Sequence, residues 1–329
     1  MSKLTPKENY LRMLRKEIPE YVPIYFQRGV SNWVEDLLTP RECPDGPITT
    51  TLGVTYVGCP DLNNGATPMP GKYVITDITK WRDQLKIPDF SDFDFEDYYR
   101  KKMADVDREN QIVPIGGSDY FLTLVALMGF EDTMLALYTE PEEVHALLEY
   151  ISEFYVMVLK KQLQYVKPDT CTIMDDDSAY RAPFFSVEVY QEFFKPYQQK
   201  HCDLCLENGV LLERHDCGKS EQFIPDWIDM GITAWNPAQV TNDLANIKKT
   251  YGNQIAICGG WDGLKYQDEF DEEVLRAALD EYVNTLAPGG GFTFSVMMPA
   301  KKDDPRTVKR SEFLKKYYEE NVRDYYKTH

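Results

Sequence analysis

The sequence is short of positive charge. It contains 36 Lys and Arg residues against 54 Asp and Glu residues, which gives a formal net charge of -18 at pH 7. A surface of this sign repels the phosphates of nucleic acids and the anionic headgroups of lipids. We therefore expect neither a nucleic acid nor a membrane surface among the partners.

Long apolar runs are also missing. No stretch approaches the roughly 18 apolar residues of a membrane span, and the first residues lack the apolar run of a signal peptide. The seven cysteines are odd in number and scattered, which is typical of free thiols in a reducing compartment rather than of a disulfide framework. These absences predict a soluble, cytoplasmic protein.

The sequence does contain a regular alternation of two kinds of segment. Short segments rich in β-branched residues alternate with long segments of helical period, which is the pattern of a parallel sheet built from βα units. The 329 residues therefore predict an α/β fold, a single (β/α)8 TIM barrel over residues 1–329. Seven strands are predicted, at 22–26, 112–116, 170–174, 210–215, 232–235, 255–259 and 291–297, and the eighth is not identified.

Four long helices are predicted outside this sheet, at 141–165, 187–207, 272–286 and 305–326. The segment at about 40–102 has a different composition, with a possible antiparallel pair of 49–57 and 72–80 around a loop rich in Gly, Pro and Asn. We expect this segment to be an insertion over the mouth of the barrel.

Reactive residues concentrate where the predicted strands end, and in a barrel the catalytic groups project from those ends. On an extended strand alternate side chains share a face, so Glu213, His215 and Cys217 are expected together. Imidazole and thiolate form half of a plausible zinc site, which needs at least one more protein donor. A buried, hydrogen-bonded histidine beside a core cysteine is the alternative interpretation.

Three consecutive aspartates, Asp175, Asp176 and Asp177, follow another predicted strand. They cannot all be buried and ionised without a cation or a shifted pKa. We expect at least one to face the cavity as a metal ligand, a proton carrier or a hydrogen-bond acceptor. A solvated loop is the alternative.

Several segments, taken in order, resemble the uroporphyrinogen decarboxylase superfamily, which includes corrinoid-dependent methyltransferases. They are MDDD at 174–177, FSVE at 185–188, FFKP at 193–196, HDCG at 215–218, GITAWNP at 231–237 followed by Gln239, GGWD at 259–262 and APGGG at 287–291. The resemblance is strongest over 169–299 and extends to 7–26. It implies a TIM-barrel enzyme.

The resemblance favours the methyltransferase branch over the true decarboxylases. The decarboxylases carry an arginine-rich segment after the first strand, whereas residues 25–33 here contain a single arginine, Arg28. One arginine cannot neutralise a substrate with many carboxylates. The methyltransferases hold zinc with His-x-Cys and a later cysteine. His215 and Cys217 match the first two positions, and Met298 stands at the third.

A thioether is a poor zinc ligand, so the third ligand is expected to be Glu213, Cys258 or one of the aspartates in 175–177. A carboxylate in place of a thiolate leaves the metal a stronger Lewis acid, which suits an oxygen substrate. The resemblance then implies transfer of a methyl group from a methoxylated aromatic, an aryl methyl ether, to the cob(I)alamin of a corrinoid protein. The cofactors would be Zn²⁺ and the cobalamin carried by that partner.

Roles for the remaining candidates follow from this hypothesis. Asp175, Asp177 or Tyr25 is expected to deliver the proton. Substrate binding is predicted for Tyr120, Trp235, Asn236, Gln239, Trp261 and Met298, although the aromatic members could equally pack a lid. Three other functions stay open: methyl transfer from a methylcorrinoid protein to a thiol or folate, metal-free decarboxylation of a small acid or uroporphyrinogen-like substrate, and non-catalytic binding of corrinoid partners.

Overall fold

The structure is a computed structural model that describes residues 4–24, 43, 45–59, 65–298 and 304–328. Numbered along the chain, the strands are β1 Ile48–Thr49, β2 Thr55–Cys59, β3 Gly65–Pro68, β4 Pro114–Gly117, β5 Thr170–Met174, β6 Leu211–His215, β7 Ala234–Ala238, β8 Ala256–Gly259 and β9 Phe292–Thr293. The helices are α1 Pro6–Leu14, α2 Trp81–Gln84, α3 Phe95–Lys102, α4 Tyr120–Met128, α5 Phe130–Thr139, α6 Pro141–Tyr165, α7 Val187–Val189, α8 Lys195–Glu207, α9 Ile224–Asp229, α10 Leu244–Tyr251, α11 Glu272–Leu286, α12 Pro305–Tyr317 and α13 Tyr325–Thr328.

Six strands form one parallel sheet in the order β4-β5-β6-β7-β8-β9, with helices between successive strands. A parallel bridge between Ile24 and Phe294 adds the described part of the predicted strand at 22–26 to the β9 edge. The seven predicted strands thus all lie in this sheet or at its edge, which confirms the α/β fold of the TIM-barrel type. Hydrogen bonds among the described residues do not close the ring.

The long helices confirm the predictions from helical period. The bounds of α6 and α11 coincide with the predicted segments. The Asp271 carboxylate accepts hydrogen bonds from the first-turn amides of α11 and so fixes its start. A π-helical turn at Tyr190–Phe194 joins α7 to α8, so residues 187–207 form one helical segment as predicted. Within the described part of the chain, no single helix is long and apolar enough to cross a membrane, although the bent pair α4 and α5 meets that test jointly.

The helix α1 covers the N-terminal ends of the barrel strands. Its buried residues Tyr10, Leu11 and Leu14 pack with Ala234 and Ala256, the first residues of β7 and β8. The opposite, C-terminal ends of β5 and β6 carry the candidate site.

The insertion differs from its prediction in pairing. Strands β1, β2 and β3 form a small antiparallel sheet, in which β2 pairs with β3 rather than with residues 72–80. The amides of Val74 and Ile75 instead donate to the carbonyl of Leu127 at the end of α4. These contacts hold that part of the insertion against an outer helix, and its place over the barrel mouth stays a prediction.

Candidate metal centre

Three potential metal ligands meet at the C-terminal ends of β5 and β6. One donor atom each of Asp176, His215 and Cys217 lies within 4.8 Å of the other two. His215 Nε2 is 3.8 Å from Cys217 Sγ and 3.8 Å from Asp176 Oδ1. About a third of the His215 and Asp176 side chains is exposed (30% and 35%), so the group is open to solvent. We call Asp176, His215 and Cys217 the donor cluster.

The histidine is oriented by a residue on the next strand. His215 Nδ1 lies 3.1 Å from Asn236 Oδ1 on β7. An Nδ1 proton donated to that oxygen leaves the lone pair on Nε2, which faces the other two donors. Metal-binding histidines are typically fixed in this way by a partner on the second ring nitrogen. Asn236, predicted to bind substrate, thus supports His215.

The aspartate and the cysteine are joined directly. Asp176 Oδ1 accepts a hydrogen bond of 2.8 Å from the backbone amide of Cys217. Burial and the neighbouring Asp176 carboxylate raise the pKa of the Cys217 thiol. A bound cation reverses this effect, because a coordinating thiol loses its proton.

The donor set fits zinc. Imidazole, thiolate and carboxylate are the three ligand types that Zn²⁺ takes in proteins, and three protein ligands with an open fourth position are typical of catalytic sites. Tetrahedral coordination at usual bond lengths places such donors about 3.3–3.6 Å apart. The two separations from His215 Nε2, both 3.8 Å, are slightly wider, and the third lies within 4.8 Å, so the donors would have to move closer together to bind an ion.

The backbone geometry at position 218 explains why a glycine follows Cys217. Its φ is +84°, and a Cβ there would come within 2.6 Å of the Ala179 carbonyl oxygen, so only glycine fits. The Gly218 amide donates to Gln239 Oε1 at 2.9 Å. Gln239, predicted to bind substrate, therefore holds the turn after β6 next to β7.

Two other predicted metal ligands lie elsewhere. Glu213 is buried and accepts a hydrogen bond of 2.7 Å from the hydroxyl of Tyr10 in α1. Cys258 is also buried and packs with Tyr10 at the same end of the barrel. The four residue steps from Glu213 to Cys217 span about 13 Å of extended chain. Glu213 therefore shares a face of the strand with Cys217 but lies about 13 Å further from its C-terminal end. The geometry does not support Glu213 or Cys258 as metal ligands.

The geometry also does not support Asp175 and Asp177 as proton carriers. Both side chains are fully buried. The Asp175 carboxylate accepts from the amides of Phe121 and Leu122 in the first turn of α4, and burial raises its pKa to about 7 against the opposing charge of Arg214. Asp177 pairs with Arg214 on β6. Of the three aspartates, Asp176 alone joins the donor cluster.

Two predicted substrate-binding aromatics have side chains that pack among the helices. Tyr120 is the first residue of α4, is fully buried, and forms a hydrogen bond of 2.9 Å with His201. Trp235 is fully buried, packs against Trp227 of α9, and donates to the carbonyl of Asp216. Both side chains pack among helices, and substrate binding by them stays a prediction.

The remaining predicted residues are less enclosed. Trp261 is partly exposed and stacks on Tyr266 with ring centroids 4.8 Å apart. Met298 is partly buried against the main core. Tyr25 lies outside the described residues. Substrate binding by Trp261 and Met298 stays a prediction.

A second charged group was not predicted. Arg214, Asp177 and Asp216 have no exposed side-chain surface, and one Arg214 nitrogen, Nη2, donates to both carboxylates. The guanidinium carbon lies 5.2 Å from the ring centroid of Trp227 on α9, so this group faces the helices. We call Arg214, Asp177 and Asp216 the buried ion triad. The signal in the sequence is that its members alternate with the donors.

Comparisons with known proteins agree with this architecture. The model of the family described as uroporphyrinogen decarboxylase (URO-D) matches residues 63–297, which include the whole donor cluster. No curated protein matches the sequence. A solved structure of a methyltransferase from Methanosarcina mazei is similar, with a TM-score of 0.60, 13% identity, and coverage of 96% of this chain and 100% of that chain. At this identity the likeness shows a shared fold.

Proposed function

The chain belongs to the uroporphyrinogen decarboxylase family, and we propose that it is a zinc-dependent methyltransferase that removes methyl groups bound to oxygen. The observation that carries the proposal is the donor cluster of Asp176, His215 and Cys217 at the C-terminal ends of β5 and β6. The proposed methyl donor is a methoxylated aromatic, and the proposed acceptor is the cob(I)alamin of a corrinoid protein.

The third ligand supports chemistry at oxygen. Asp176 supplies a carboxylate as the third donor where a second thiolate would make the centre softer. A zinc ion held by Asp176, His215 and Cys217 would supply a Lewis acid for an ether oxygen. A carboxylate neutralises the ion less than a thiolate does, because charge donation from sulfur is stronger. The cobalamin of the partner protein supplies the nucleophile that accepts the methyl group.

The chain's own contribution is to bind and orient. Asn236 fixes the ring of His215 so that Nε2 faces the cluster. The bond from Cys217 N to Asp176 holds the second and third donors in register, and Gln239 holds the turn that carries Cys217. The residues that hold the donors come from the ends of three adjacent strands, and an ion held there would have room for a further ligand beside its three protein donors. Binding of the substrate ring by the partly exposed Trp261 is part of the proposal.

The test combines metal analysis with a transfer assay. Purified protein should contain about one zinc per chain, as Zn²⁺ sites with three protein ligands usually do. With chemically reduced cobalamin and a panel of methoxyaromatics, it should form methylcobalamin and the free phenol. His215→Ala should lose both zinc and transfer, whereas His145→Ala, a change at an exposed surface histidine, should lose neither. A zinc-free protein, or full transfer by His215→Ala, would contradict the proposal.

Decarboxylation is the second candidate, because the matching family model is that of a decarboxylase. It predicts release of carbon dioxide from a small acid without any bound metal. Transfer from methylcobalamin to a thiol, with no cleavage of ethers, would instead identify the zinc centre as one that activates sulfur.

A further inference from the structure

The buried ion triad is attached to all three donors through the chain. Asp177 directly follows Asp176, and Asp216 stands between His215 and Cys217. Because Arg214 Nη2 donates to both triad aspartates, it joins the segment after β5 to the segment after β6 beside the donor cluster. A change in the separation of Asp177 and Asp216 would therefore be passed to the separation of the donors.

Further hydrogen bonds fix the central aspartate. Asp216 Oδ1 accepts from the amide of Asp177 at 3.3 Å and from the hydroxyl of Ser220 at 2.6 Å. The Asp216 carbonyl accepts from Trp235 Nε1 at 2.9 Å. Asp216, which stands between the donors His215 and Cys217, is thus held by the segment after β5, by its own turn and by β7.

Stability alone does not account for burying this triad. Removing charges from water costs free energy that their mutual attraction often fails to return. Arg214 Nε and Nη1 have no hydrogen-bond partner within the described part of the chain, which adds to that cost. In some proteins such networks are retained because they select one geometry.

We propose that Arg214 is a positioning residue for the donor cluster, and that by bridging Asp177 and Asp216 it sets the separation of Asp176 from His215 and Cys217. The inference rests on the metal centre proposed above. Loss of outer partners of a metal site typically weakens metal binding about 10- to 100-fold, and we expect an effect in that range.

The experiment measures Co²⁺ binding, because cobalt reports both affinity and ligand geometry. The test variant is Arg214→Met/Asp177→Leu, which removes one positive and one negative charge and leaves Asp216 with its Ser220 bond. The control variant is Lys195→Met/Asp226→Leu, which removes a pair 2.6 Å apart between the helical segment 187–207 and α9. Circular dichroism and thermal unfolding check that each variant folds.

The test variant should fold, bind Co²⁺ about 10- to 100-fold more weakly in competition with a chelator, and show an altered thiolate-to-cobalt absorption band. The control should keep the wild-type affinity and band. A folded test variant with wild-type affinity and spectrum would overturn the inference while leaving the metal centre in place. Failure of the wild-type protein to bind Co²⁺ or Zn²⁺ would overturn the metal centre and the inference together.

If the test variant does not fold, Ser220→Ala decides the question. It removes the contacts of the Ser220 hydroxyl with Asp216 Oδ1 and with the Cys217 carbonyl, and it leaves the ion triad intact. Weaker Co²⁺ binding than in Thr133→Ala, which removes a buried hydroxyl bonded within its own helix, supports positioning of the donors by the network around the triad. Equal binding by the two variants contradicts it.

Discussion

The donor cluster and the buried ion triad occupy alternate positions of the same two segments, yet their environments are opposite. The donors Asp176 and His215 are about one-third exposed, whereas Arg214, Asp177 and Asp216 have no exposed side-chain surface. One face of the strand ends can exchange a ligand with solvent, and the other is sealed under helices. The comparison teaches that neighbouring charged residues in one motif serve different purposes because a strand turns successive side chains to opposite faces.

Removing a donor should have the largest effect on the open face and little effect on folding. Asp176→Ala and Cys217→Ala should each reduce bound zinc from about one ion to none after dialysis, since two protein donors rarely retain Zn²⁺. Chemical unfolding should show little loss of stability, because these side chains are partly exposed. Retention of zinc by Asp176→Ala would show that another residue completes the site.

Breaking the sealed face should have the reverse outcome. Arg214→Met alone leaves Asp177 and Asp216 buried without their cation, and removal of one partner from a buried ion group typically costs about 3–5 kcal/mol. Urea unfolding should show this loss, and adding Asp177→Leu should recover only part of it, because Asp216 is still buried without its cation. Wild-type stability in the Arg214→Met single variant would mean that the triad is not charged as described.

A pH experiment tests the burial of His201 in α8. Burial lowers the pKa of His201 to about 3, so its unfolded form binds a proton more readily than its folded form. Its stabilising contribution is present above the unfolded pKa of about 6.5 and is lost as the pH falls toward 3. The wild-type protein should therefore lose about 2 kcal/mol more than His201→Gln between pH 7 and pH 5. The control change Leu135→Ala, at an exposed position that carries no titratable group, should follow the wild-type slope.

The smallest effect is expected at the far end of the barrel. Tyr10→Phe removes the hydrogen bond to Glu213, and a net loss of about 1 kcal/mol in stability is expected for one such bond. Burial already raises the pKa of Glu213, so the carboxyl group can take up a proton instead of remaining as an unpaired charge. Zinc content should not change, and Tyr138→Phe, at an exposed tyrosine, should match the wild type. Loss of zinc in Tyr10→Phe would indicate that Glu213 is a zinc ligand after all.

The barrel strands and the main site motif were predictable because their signals are local. β-branched runs predicted all seven strands, and the sequence around His215 and Cys217 predicted their shared face. The partner strand β3 was missed because its sequence, Gly65–Pro68, contains small residues and a proline rather than β-branched ones. Strand pairing there is set by contacts that no short window contains.

The other site residues were assigned less well, because their roles depend on where each strand ends and on which side of the strand each side chain lies. Which of the three aspartates joins the cluster depends on where β5 ends, and a shift of one residue exchanges the faces. Trp235 precedes Asn236 by one residue, so the same alternation sends the tryptophan to the helices and the amide to His215. For Glu213 the alternation along the strand predicted the face correctly. Its distance from the C-terminal end of the strand, where the donors lie, could be seen only in the structure.

The contact between Tyr10 and Glu213 also has a consequence for the order of folding. The two residues are 203 positions apart in the chain, so α1 is synthesised long before the strand that it covers exists. Contacts of such high sequence separation form slowly, because the entropy of closing the loop must be paid first. During synthesis the apolar face of α1, which includes Leu11 and Leu14, therefore stays exposed until β6 and the following strands have formed.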